Sequence, residues 1–259
     1  MTTVELTPAL CREYEALFAE CRIRPERWDE VDAVVDGLLA GRDRYRAAGD
    51  EVGVPWPVVA VLHSLESDLD FSRHLHNGDP LDARTVHVPV GRPRAGTPPF
   101  DWHESAVDAL RGSGLSRGHD WDLAATLFRL ERYNGWGYRF RRPEVRSPYL
   151  WSFSEHYERG KFVQDGRWSA TAVSRQAGAA VLLRRLAERG EVLFDKSPVG
   201  PLLVFSADQE VPGATDLQAF LNTFPGIRLR VDGRPGPRTS AAFQVVFGRY
   251  LKGDPRGEA

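Results

Sequence analysis

The stretch VPWPVVAVLHSLESDLDF, residues 54–71, constrains the fold more than any other part of the chain. Pro55 and Pro57 suit the first turn of a helix, where a missing N–H costs little. Val58, Val61, Leu62 and Leu65 then recur at helical spacing, which predicts an apolar helix ending near Glu66–Leu69. Directly after it the character changes. HNGDP at 76–80 is a dense turn signal, TVHVPV at 85–90 alternates as a short strand does, and GRPRAGTPPF at 91–100 reads as a Pro/Gly loop. A core helix therefore runs into a small, turn-rich β lobe.

The rest of the chain is mostly helical in pattern. Leu6, Leu10, Tyr14, Leu17 and Phe18 form one apolar stripe and Val31, Val34, Val35, Leu38 and Leu39 a second, with Pro25 between them, across 5–48. Helices are expected over 104–110, over 120–133 with Asp120 as N-cap, and over 174–189 with Ser174 as cap and Gly190 as stop. The fold class expected is mainly α, formally α+β, with three parts. These are a catalytic domain over 1–190, a connector over 191–214 and a small helical module over 215–259. A chain of 259 residues has room for both a sizeable core and such a module.

Charge narrows the partners. Thirty-four basic and 36 acidic residues leave a net charge of −2, which argues against nucleic acid binding driven by bulk positive charge. No apolar run approaches the roughly 20 residues that span a bilayer, so no stable membrane insertion is expected. The N-terminus MTTVELTPALCREYE has neither a basic n-region nor an apolar h-region. The expectation is a protein made in the cytoplasm that reaches any external target by another route. Cys11 and Cys21 are too few for a disulfide framework.

Three constellations could carry chemistry. Glu66 falls near the C-terminal end of the apolar helix, where the helix dipole and nearby Val59, Leu62 and Leu65 both favour the protonated carboxyl. A carboxyl protonated near neutral pH is what a glycosidase needs as its general acid, opposite a second carboxylate. Asp79, in the NGDP turn, is the candidate base, and Thr85 can orient a water. The second constellation is aromatic. Seven of the fourteen Trp and Tyr residues lie between Tyr133 and Trp168, interleaved with turns, serines and glycines. Such rings offer flat faces for sugar, and Tyr133, Asn134, Trp136, Tyr138, Tyr149 and Trp151 are the candidate substrate-binding residues. The third is a histidine cluster in which His74 and His76 with Asp79 could ligate zinc, although no HExxH is present.

LHSLES at 62–67, NGDP at 77–80, RTVHVP at 84–89 and ERYNGWGYR at 131–139 together resemble the lysozyme superfamily, which includes goose-type lysozymes, lytic transglycosylases and chitinase-like glycosidases. The resemblance covers roughly residues 50–190. It implies a lysozyme-like helical domain with a small β lobe, Glu66 as catalytic acid and Asp79 as base. It also implies that Tyr133-Asn134-Gly135 is a substrate-binding motif. The Asp79 spacing matches no branch of the superfamily cleanly; without a second carboxylate, the acid could act alone as in a lytic transglycosylase. The tail LQAFLN…LRVDGRPGPRTSAAFQ at 217–244 is similar to small peptidoglycan-binding modules at Leu217, Gln218, Asp232, Gly233, Gly236, Thr239 and Phe243. The function implied is hydrolysis of a β-linked amino-sugar polymer, peptidoglycan foremost, with no metal and no cofactor. A zinc peptidase or amidase and a non-catalytic glycan-binding protein stand as alternatives.

Overall fold

Thr7 starts the first helix, α1 (Pro8–Glu20), by accepting the Leu10 N–H on its hydroxyl at 3.2 Å, while Pro8 takes the first turn. The computed structural model describes residues 4–115, 120–164, 166–194 and 203–257. Two compact units make up the chain, Met1–Pro198 and Val199–Ala259. It is mainly helical, with one small antiparallel sheet among the described residues.

In the first unit a single 3₁₀ turn at Pro25–Arg27 follows α1, and then come α2 (Trp28–Ala40) and α3 (Arg42–Val52). The pattern over 5–48 predicts a single helix after Pro25; Gly41 instead divides that stretch into α2 and α3. Helix α4 (Trp56–Ser67) is the Pro-led apolar segment. Every residue from Pro57 to Ser64 is buried, as befits a helix walled in on all sides. Its neighbours are α2, α3, α6 (Leu123–Asn134) and α9 (Ala179–Glu188). Between them lie α5 (Trp102–Gly112), α7 (Gly137–Arg141) and α8 (Pro148–Trp151). Buried Glu131 ties α6 to α1, accepting from the Tyr14 hydroxyl at 2.5 Å and the Arg139 Nε at 2.9 Å.

Two helix starts differ from expectation. Asp122, not Asp120, caps α6, accepting the Ala125 N–H at 2.8 Å, while Asp120 accepts the Asp122 N–H one step earlier. Helix α9 begins after Gly178, not at Ser174. Gly178 lies against the Leu150–Trp151 backbone, and its N–H donates to the Ser152 carbonyl at 2.9 Å. That contact holds residues 174–178 out of the helix.

The strand expected at 85–90 is not formed. Val86, Val88 and Val90 stay 70%, 84% and 68% exposed. An alternating apolar face becomes a strand only with a partner edge and a surface to cover, and the described residues offer neither here. Instead, side chains satisfy the local N–H groups: Asp79 those of Val86 and His87, Thr85 that of Arg92. The observed hairpin lies elsewhere, β1 (Lys161–Gln164) pairing antiparallel with β2 (Arg167–Ser169).

The second unit is built on α10 (Ala214–Leu221) and α11 (Pro237–Phe247). Gln218, 1% exposed, is its hub. Its carbonyl accepts the Asp232 and Gly233 N–H groups at 3.0 and 2.9 Å, and its amide reaches Asp232, Arg234 and Thr239. Gly233, at φ 73°, supplies the left-handed turn that lets both N–H groups converge. The LQ…DG…T spacing is thus an internal brace between helix and turn.

Candidate active site

Helix α4 ends abruptly. Asp68 and Leu69 both take left-handed φ, 52° and 61°. Aspartate visits that region readily, but a leucine there is strained, and such strain concentrates at functional sites. The chain doubles back so that Gly78 sits on the helix end. A Cβ at Gly78 would lie 2.6 Å from the Glu66 carbonyl oxygen, and its φ is 76°. Only glycine meets both demands.

Glu66 is therefore in the last turn of a buried helix. It keeps part of its surface in solvent, but so much protein surrounds the carboxyl that burial pushes it up to about 7, only partly offset by the Tyr149 hydroxyl, which donates to Oε1 at 3.0 Å. Burial and the neighbouring Glu66 charge in turn raise the Tyr149 and Tyr133 hydroxyls. The Tyr133 hydroxyl donates to the Leu75 carbonyl at 3.4 Å, and Gln176 donates to the Leu65 carbonyl at 3.2 Å. An acid with this environment can hold its proton near neutrality and release it to a leaving oxygen.

Asp79 is differently placed. Burial raises its carboxyl, but the His87 N–H, the His87 ring and the Val86 N–H outweigh that and bring it down to about 2. The three donors stand at 3.0, 2.6 and 2.8 Å. Thr85 is equally committed, donating to the Pro89 carbonyl at 2.5 Å and accepting the Arg92 N–H at 2.9 Å. Both residues brace the 76–92 loop, and neither offers an unengaged oxygen in the manner expected of a base or a water-holding hydroxyl. The histidines are also engaged. His74 bonds Ser105 and the Ala83 carbonyl, while His76 bonds Asp108 at 2.9 Å. Among the described residues, no group of three or more His, Cys, Asp or Glu side chains is placed to hold a metal ion.

The aromatic set divides. Tyr149 and Tyr133 stand with Glu66. Trp151 is buried core, 2% exposed and edge-on to His156. Asn134, Trp136 and Tyr138 line a separate open cleft of about 570 Å³ with Phe140, Arg141, Phe162 and Gln164. The Tyr138 hydroxyl accepts the Phe162 N–H at 3.2 Å, which fixes the hairpin as one wall. The sequence pattern does not single out Phe140, Arg141 or Phe162 as lining residues. No family model, no curated protein and no solved structure matches this chain. Among the described residues, no helix is long and apolar enough to cross a membrane.

Proposed function

We propose that this protein is a glycosidase of lysozyme type, cleaving a β-linked amino-sugar polymer, peptidoglycan foremost, with Glu66 as general acid. One observation carries the reading: a carboxyl in the last turn of a buried apolar helix, raised to about 7 and held by Tyr149. The cleft at Asn134–Tyr138 supports it by offering aromatic faces beside an amide, the pairing a sugar ring with N-acetyl groups uses. The second unit, similar in pattern to wall-binding modules, would bring the acid to insoluble substrate. The zinc reading loses support because His74 spends both ring nitrogens on protein partners.

The test is release of new reducing or anhydro ends from purified cell wall, with and without chelator. Turnover that survives chelator supports the glycosidase; its loss on chelation, or cleavage of peptide bonds only, contradicts it. Two further outcomes follow. Asn134→Ala removes an exposed side chain from the cleft, so KM should rise on the order of 10-fold with the melting temperature unchanged, the loss expected of a substrate hydrogen bond of about 1.4 kcal/mol. Removing residues 199–259 should leave turnover of short soluble oligomers within a few-fold while cutting activity on insoluble wall about 10-fold or more, because tethering acts through effective concentration.

A further inference from the structure

The 76–92 loop holds one residue, His87, by both its backbone and its exposed side chain. His87 is 77% exposed, yet Nδ1 is fixed to Asp79 Oδ1 at 2.6 Å and its own N–H to Asp79 Oδ2 at 3.0 Å. The Asn77 amide grips its carbonyl at 3.0 Å. Asn77 and Asp79 flank Gly78, the residue pressed on the Glu66 carbonyl. The loop that ends on the helix of the acid thus fixes the His87 backbone through Asn77 and Asp79 and the imidazole through Asp79 Oδ1. Asp79 is itself anchored, its N–H on the Asn77 side chain at 3.1 Å and its carbonyl accepting the His74 N–H at 2.7 Å. A carboxylate on Nδ1–H sets the tautomer and leaves the Nε2 lone pair facing solvent, the arrangement of an oriented base.

Resting on the glycosidase reading above, we propose that His87 is the catalytic base that activates the attacking water, and that Asp79 is its positioning residue. Glu66 gives its proton to the glycosidic oxygen as the bond from that oxygen to the anomeric carbon breaks. The water oxygen bonds the anomeric carbon, and the water proton passes to His87 Nε2. Solvent then takes that proton from the imidazolium and returns one to Glu66. The products are two shorter chains, one with a free reducing end, formed by a single displacement with inversion.

The experiment uses the full chain and soluble, uncrosslinked peptidoglycan strands. His87→Gln should lower kcat on the order of 10²-fold, with KM within a few-fold and the melting temperature unchanged, since the side chain is exposed. His87→Ala should regain turnover with added imidazole. The first product of the wild type should have the inverted anomeric configuration. The inference is overturned if His87→Gln keeps kcat within about three-fold while Glu66→Gln is inactive. It is equally overturned if the product is an internal anhydro ring or has retained configuration, or if the loss comes with a lower melting temperature and no imidazole rescue. Each of these leaves the role of Glu66 standing. Full activity in Glu66→Gln, or no turnover by wild type on these strands or on chitin oligomers, overturns the glycosidase reading and this inference together.

Discussion

Glu66→Gln is expected to fold normally and to lose on the order of 10²–10⁴-fold in kcat, the usual scale for removing a general acid. Glutamine keeps the shape and can still accept the Tyr149 hydroxyl, which donates to Oε1, so the loss isolates the proton. Stability should move the opposite way. The carboxyl titrates near 4.5 when unfolded and at about 7 in place. Below 4.5 it is protonated in both states and burial carries no penalty. Between 4.5 and 7 the unfolded chain gives up a proton that the folded chain keeps, so stability declines as pH rises. Above 7 the whole cost is present, on the order of 3 kcal/mol. The variant does not titrate there. Its melting temperature should therefore gain on the wild type from pH 4.5 to 7 and keep that lead at higher pH. A protein that keeps such a carboxyl sacrifices stability for an acid ready at neutral pH.

The second large effect is structural. Gly178→Ala would put a Cβ against the Leu150 carbonyl and 2.6 Å from the Trp151 nitrogen. These are backbone atoms, and the Gly178 N–H is already bonded to the Ser152 carbonyl, so neither side can move away cheaply. Overpacking costs about 1–3 kcal/mol, and a clash with backbone belongs at the upper end. For a unit of this size the melting temperature should drop on the order of 10 °C. Tyr149 precedes Leu150 directly, so α8 carries the strain to the acid and kcat should fall too. Circular dichroism melts with activity assays check both, and an unchanged melting temperature would contradict the packing described.

What could be read from the sequence follows from where information is periodic. Helix α4 and the burial behind Glu66 were legible because an unbroken apolar run has one physical outcome, and the dipole at its end is fixed by direction. The 76–92 loop was not. Asp79, Thr85 and Asn77 hold it by side chain-to-backbone bonds, which leave no repeat, so an alternating TVHVPV reads as a strand although three exposed valines and two side-chain clamps say otherwise. Turn residues alone also place helix caps ambiguously: Asp120 and Asp122 are chemically equivalent, and only the Ala125 N–H decides between them. The aromatic set was found as a composition cluster, but a cluster in sequence does not say which rings meet the acid, which line the cleft and which, like Trp151, fill the core. Phe162 as a cleft wall depends on Tyr138 reaching its N–H across 24 residues, a pairing that leaves no local sequence signal.

The central claim is that Glu66 delivers a proton to a glycosidic oxygen. The most direct measurement is kcat/KM for release of new chain ends from soluble peptidoglycan strands between pH 4 and 9, wild type beside Glu66→Gln. The account predicts a basic limb in the wild type with its midpoint near 7, set by loss of the Glu66 proton, and only residual turnover in the variant. A wild-type profile flat from pH 6 to 8, with the variant turning over at the same rate, would contradict it.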